Sequence, residues 1–142
     1  MTVEIREELP SIDDFLRLRA ENGLTPRSRA AAEAGLPRNI AAVTAWDGDT
    51  CVGMARATGD ALTWTVADVA VDAAHRRQGI ADRMLSVLMA RLRRIAPAEV
   101  YVSLVADLPA DALYARHGFG PVAPRSIGMA QWLRPDEEEA AA

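Results

Sequence analysis

The chain contains no lysine, a single cysteine and only two histidines. All 16 basic side chains are arginine and alanine is abundant, so the missing lysine reads first as compositional bias. Cys51 has no partner for an internal disulfide, and no Cys/His cluster has metal-ligand spacing. Neither bridges nor a metal are therefore expected to hold the fold, and Cys51 reads as a small buried residue. No apolar run approaches the roughly 20 residues that span a bilayer, and residues 1–6 are charged and alternating rather than a signal-type apolar block. No membrane contact is expected, and a cytoplasmic location is the default. A net charge of −4 provides no concentrated basic surface for counterion release, which argues against nucleic acid as a partner.

What is present is enough for one core. The 142 residues are half apolar, with no linker and no internal repeat, which reads as a single domain over residues 1–135. After Pro135 the acidic-alanine tail, residues 136–142, is expected to be frayed or disordered.

Apolar Val3, Ile5 and Leu9 alternate with charges, so residues 2–9 predict a first, half-exposed strand. Ser11, with Asp14 three positions on, predicts a helix N-cap, and Phe15, Leu16 and Leu18 form its apolar stripe until Asn22-Gly23. Thr25-Pro26 predicts a second cap, opening an alanine-rich helix that closes near Gly35-Leu36-Pro37. From residue 40 the pattern becomes strands with tight turns, over 40–46, 50–57 and 62–71, an antiparallel meander. Residues 79–95 carry Ile80, Met84, Leu85, Leu88 and Leu92 at helical spacing, and Pro97 follows. Residues 100–105 predict a strand parallel to 62–71, because a helix joins them, and a gap between their ends would form a cleft. A helix over 110–117 and strands over 119–122 and 126–132 complete the expected mixed sheet.

The most informative stretch is the apolar Val69-Ala70-Val71 strand followed by Arg76-Arg77-Gln78-Gly79-Ile80-Ala81-Asp82 and the long helix. A helix start collects unpaired N–H groups at the positive end of the peptide dipole, which suits a pyrophosphate. Gly79 permits close approach, Ala81 keeps the first turn uncrowded, and Arg76 and Arg77 add forked donors.

This Arg-x-x-Gly-x-Ala after a Val-Ala-Val strand resembles the acetyl-CoA signature of the GNAT superfamily of N-acetyltransferases. Leu113-Tyr114-Ala115-Arg116-His117-Gly118-Phe119 is similar to the family's later Leu-Tyr-x-x-x-Gly-Phe element, and the two together make the resemblance specific over about residues 40–120. It implies a single α/β domain whose mixed, mostly antiparallel sheet is splayed at the acetyl-CoA cleft. It also implies a homodimer, and direct acetyl transfer to an amine without a covalent enzyme intermediate. A small-molecule amine is the favoured acceptor; a protein amine and a noncatalytic CoA sensor are the alternatives.

The resemblance places cofactor contacts on Val69, Ala70 and Val71, whose strand is bulged in the family, and on residues 76–82. It makes Tyr114 the general acid. A phenol titrates near ~10 and a thiol near ~8.5, so protonating the departing thiolate is uphill by only about 2 kcal/mol before the site tunes either group. The base stays open among Asp68, Asp60, Glu33 and His117; Asp68 is closest to the bulged strand, although an exposed strand carboxylate is its simpler reading. Asp107 stands where many members carry a cofactor-contacting asparagine. Trp46, Trp64 and Trp132 are candidates for an acceptor pocket, with Trp64 foremost, and the loop Gly23-Leu24-Thr25-Pro26-Arg27 is expected to cover that side.

Overall fold

A computed structural model describes residues 2–136. Five strands form one sheet in the order β1 (Glu4–Arg6), β2 (Ala41–Asp47), β3 (Thr50–Gly59), β4 (Thr63–Val71) and β5 (Tyr101–Ser103). The first four are antiparallel neighbours, and β4 and β5 run parallel. The sheet is mixed and mostly antiparallel, as expected.

Both faces of the sheet are covered, which is why β2 reads Ala-Ala-Val-Thr-Ala with every one of those residues buried. On one face lies α3 (Ile80–Ile95), whose Ile80, Met84, Leu85, Leu88 and Leu92 are buried against Val43, Ala45, Val52, Ala55 and Ala57. On the other lie α1 (Ile12–Glu21) and α2 (Arg29–Gly35), which bury Phe15, Leu18 and Ala32, together with Leu36 of the turn that follows, against Cys51, Met54 and Ala70. The small alanines of β2 and β3 let the large Met and Leu side chains of α3 interdigitate with the sheet.

Local chemistry explains the boundaries. The Asp14 N–H donates to Ser11 Oγ at 3.0 Å, so α1 starts where its cap predicts. The cap of α2 is Ser28 rather than Thr25, its Oγ accepting from Ala31 N at 3.1 Å. Thr25 is occupied differently: its carbonyl accepts from Arg19. Strands β1 and β5 are shorter than expected, and α4 spans only Asp111–Ala115.

The expected strands over 119–122 and 126–132 do not form, and residues 120–136 are exposed throughout. A strand needs a partner for its backbone groups, and among the described residues β5 is paired only with β4. The expected tail lies outside the described residues except for Asp136. Among the described residues no helix is long and apolar enough to cross a membrane, and no three His, Cys, Asp or Glu side chains are placed to share a metal.

Cys51 is 1% exposed, and burial pushes its thiol up to about 11. The folded state therefore holds the proton after the unfolded chain has released it. Stability linked to this thiol is complete below the ordinary thiol range and declines as pH rises towards 11. Urea titrations from pH 7 upwards should show a falling unfolding free energy that flattens in Cys51→Ala, and a thiol reagent at neutral pH should label the denatured chain but not the native one.

Candidate active site

The register between β3 and β4 breaks in the middle of the pair. Arg56 faces Ala67 and Met54 faces Ala70, so Ala55 alone stands opposite both Asp68 and Val69. This is a β-bulge, and Asp68 sits in it at φ 56, in the left-handed region. Its carboxylate accepts from Arg19 Nη1 on α1 and from Arg56 Nε on β3, the latter at 2.5 Å. With 7% of its side chain exposed, Asp68 is a buried acceptor between two guanidiniums and not the exposed strand carboxylate of the simpler sequence reading. Arg19 also donates through Nε and Nη2 to Thr25 O, so one ion cluster ties α1, its following loop, β3 and β4 together.

Beyond the bulge β4 has lost its parallel neighbour. The two strands pair only where Thr63, Trp64 and Thr65 meet Tyr101, Val102 and Ser103, and no β5 residue pairs with 66–71. The opening between them is a groove of three adjoining cavities. The outer one, about 150 Å³, is lined by Arg76, Arg77, Gly79, Ala81 and Asp82. A middle one of about 360 Å³ shares Val71, Arg76, Ala81 and Leu113 with it. The inner one, about 150 Å³, is bounded by Arg19, Asp68, Leu104 and Val105, and shares Val69, Leu24, Asp107, Ala110 and Tyr114 with the middle. The expected cleft between β4 and β5 is therefore present, with the bulge at its inner end.

The outer end is built by backbone. Arg77 has φ 64 and Gly79 has φ 74, and these two left-handed residues turn the chain from β4 into α3. Gly79 is the N-cap with no side-chain capping bond, and the first helical bond runs from Arg83 N to Gly79 O. The N–H groups of Ile80, Ala81 and Asp82 are thereby left to the cavity, and open space surrounds the position a Cβ on Gly79 would take. An anion of pyrophosphate type fits this cradle.

Side chains around it differ from expectation in detail. Arg76 donates from Nη2 to Asn22 Oδ1 at 3.0 Å and from Nε to Val71 O at 3.3 Å, so it braces the wall of the groove. Arg77 and Gln78 are exposed, but Gln78 is not part of the lining. Ile80 is buried in the core below, and Asp82 bonds across to His117 Nε2 at 2.8 Å and Arg116 Nε at 3.4 Å. Chiefly through the His117 bond, the Asp82 carboxyl is held below its usual range.

Tyr114 lines both the middle and inner cavities. Burial, reinforced by the nearby Asp107 carboxylate, raises its phenol above the ordinary value, so the hydroxyl is protonated at neutral pH. Phe119 meets the ring edge-on, with centroids 6.4 Å apart. Other candidates fall elsewhere. Asp60 Oδ1 accepts from Leu62 N and Thr63 N in the β3–β4 turn, Glu33 is exposed on α2, and His117 is held by Asp82. Trp64 is 4% exposed in the core and lines none of the three cavities. Trp46 packs under Arg6, and Trp132 lies under Arg27.

Arg19 and Arg56 are the residues that sequence reasoning passed over. The available signal was a charged residue four positions from Phe15 on an apolar helix face, and another inside the apolar run of β3. Such placements require a buried partner.

No curated protein matches the sequence. The family model for the acetyltransferase (GNAT) family matches residues 7–119. A solved structure from methicillin-resistant Staphylococcus aureus, a protein of unknown function named as a probable acetyltransferase, is 35% identical and covers 93% of this chain and 100% of its own, with a TM-score of 0.87. Glucosamine-6-phosphate N-acetyltransferase from Arabidopsis thaliana is 14% identical, covering 94% and 100%, with a TM-score of 0.70. A ribosomal-protein-alanine N-acetyltransferase from Escherichia coli is 20% identical, covering 84% and 78%, with a TM-score of 0.69. The last two share the fold alone, and they act on different kinds of acceptor. The matched family model and the Staphylococcus aureus relative, together with the bulged strand and the glycine turn, show that this chain belongs to the GNAT acetyltransferase family.

Proposed function

We propose that the protein transfers acetyl from acetyl-CoA directly to the amine of a small molecule. The observation that carries this reading is the continuous groove from the Gly79 turn to the Asp68 bulge, with Tyr114 at its inner end. The main chain of residues 77–82 receives the diphosphate, with Arg77 beside it and Arg76 bracing the wall. Gln78 and Ile80 contribute through backbone, and Ala81 and Asp82 through the first helical turn. Strand β4 at Val69, Ala70 and Val71 lies along the pantetheine arm, and backbone N–H groups beside the bulge polarise the thioester carbonyl.

The amine nitrogen bonds to the acetyl carbon as the carbon–sulfur bond breaks, and the electron pair leaves on sulfur. Tyr114 gives its proton to that sulfur. Asp68 is the one base candidate that borders the groove, but both its oxygens already accept from guanidiniums. In this reading it holds the bulge, the ammonium releases one proton to water before its nitrogen attacks, and the second proton, shed as the amide forms, returns through water to the Tyr114 phenolate. An inner cavity of only about 150 Å³, closed by Arg19 and Leu24, favours a small acceptor over a peptide.

A second copy completes the assembly. Among the described residues the outer edge of β5 has no partner, and Tyr101, Val105, Leu108, Ile127, Met129 and Leu133 are each more than half exposed. Such a surface joined to an open sheet edge suits a homodimer. Light scattering should return twice the chain mass, and Met129→Asp should return one.

Protein, acetyl-CoA and an amine panel should give amine-dependent release of free thiol and a product heavier by one acetyl group. Tight CoA binding without turnover on any amine would instead indicate a sensor. Tyr114→Phe should lower kcat roughly a hundredfold while acetyl-CoA affinity holds; equal kcat would remove Tyr114 as the acid. Asp68→Asn separates clamp from base. As a clamp its loss costs about 3 kcal/mol of stability, as expected for a broken buried pair, and leaves the pH profile of the residual activity unchanged in shape. As a base it would erase the acidic limb of kcat/KM instead.

A further inference from the structure

The turn at the outer end of the groove is tied to the body of the protein mainly by side chains. Among the described residues no N–H of residues 77–79 bonds to the main chain. The short turn before them, Ala73–His75, is closed by His75 N to Asp72 O at 2.8 Å and by a long Arg76 N to Ala73 O at 3.4 Å. Arg76 supplies one side-chain tie, to Asn22 Oδ1 just after α1. His75 supplies another, to the opposite end of the sheet hairpin.

His75 lines the outer cavity beside Arg76 and Arg77, and only 14% of its side chain is exposed. Its Nε2 lies 2.9 Å from Oδ2 of Asp47, the last residue of β2. An ionised carboxylate can only accept, so the proton is on Nε2 and that N–H donates. The other ring nitrogen, Nδ1, is buried without a partner, 4.0 Å from Asp72 Oδ2. A bare buried nitrogen costs free energy that an apolar side chain filling the same space would not. Burial alone therefore does not account for an imidazole here, and the bond to Asp47 does. A turn with Arg77 and Gly79 both left-handed keeps its shape only where its surroundings hold it. With one tie gone, an anion must order the amides at the start of α3 as it binds, which weakens binding.

Resting on the acetyl-CoA reading above, we propose that His75 is a positioning residue for the cofactor, whose bond to Asp47 pins the turn that aims main-chain donors at the diphosphate. The test measures CoA affinity by calorimetry, and kcat and KM with acetyl-CoA and with S-acetylpantetheine, which keeps the thioester and lacks the diphosphate. His75→Leu should weaken CoA binding and raise KM for acetyl-CoA roughly tenfold, the low end for one hydrogen bond to a charged group, and leave kcat unchanged. Turnover of S-acetylpantetheine should not move. His75→Gln, whose amide N–H reaches where Nε2–H does, should restore CoA affinity. Asp47→Ala separates the tie from charge by sign. Removing a negative charge near an anion tightens binding by electrostatics, whereas removing the tie weakens it, and Asp47 is not part of the cavity lining. Asp47→Ala should weaken CoA as His75→Leu does, with no further loss in the double variant.

Unchanged CoA affinity in His75→Leu, an equal loss with S-acetylpantetheine, failure of His75→Gln to restore binding, or tighter binding in Asp47→Ala would each overturn the proposal. The Asp47 side chain is 38% exposed, so its variant reads the tie even where His75→Leu disturbs folding. If CoA binds and no amine is acetylated, the acetyltransfer reading fails, and His75 is still judged by calorimetry, with S-acetylpantetheine binding in place of its turnover. If the unaltered protein does not bind CoA, both fall.

Discussion

The groove depends on one carboxylate held between two guanidiniums. A non-glycine residue in the left-handed region costs on the order of 1–2 kcal/mol, and the bulge also forfeits part of the β3–β4 ladder. Hydrogen bonds to charged groups return about 1.5–3 kcal/mol each, and Asp68 makes one to Arg19 and one to Arg56, so the clamp outweighs the strain. Aspartate is also among the residues that tolerate this conformation best. Replacing a buried pair of this kind by apolar groups is often neutral for stability, which argues that its value here is geometric. It fixes where β4 turns away from β5, and through Arg19 and the Thr25 carbonyl it fixes the loop that closes the inner cavity.

The outer end of the groove meets a different requirement with different means. The helix start there offers main-chain donors, and two left-handed residues two positions apart, Arg77 and Gly79, are what aim them. A five-residue helix such as α4 has no independent stability, yet it must present Tyr114 to the same groove. Packing of Leu113, Tyr114 and Phe119 on the core and the bonds from Asp82 to Arg116 and His117 supply it from outside. The first turn of α3 therefore serves both ends: its amides face the cavity, and the Asp82 side chain ties down the helix that bears Tyr114.

How much of this the sequence disclosed follows from the range of the interactions involved. The stripe of α3, the Ser11 cap, the Asp47-Gly48-Asp49 turn and the glycine turn are local signals, and each appears where the residues put it. The splayed sheet and the family were legible because Arg76 to Ala81 and Leu113 to Phe119 are two ordered motifs. The bulge was legible only through that resemblance, since it is a property of the register between β3 and β4, and either strand alone reads as regular. Thr25 and Ser28 are both plausible caps, and the choice was made by Arg19 reaching across to the Thr25 carbonyl. Residues 126–132 are expected as a strand, but a local pattern specifies a face and not a partner, and none is supplied among the described residues.

The absence of lysine takes on a second aspect at the site. Arg19, Arg56, Arg27 and Arg76 all line the cavities around the groove. A lysine at any of these positions would line the same cavities with a primary amine, whose ammonium readily loses a proton when desolvated. A guanidinium stays charged at every accessible pH and is a poor nucleophile, so it clamps a carboxylate without offering a free amine. The arginine bias extends over the whole chain and so was not set by the site alone. Within the site it still has a definite chemical consequence, because the cations that shape these cavities are not nucleophiles.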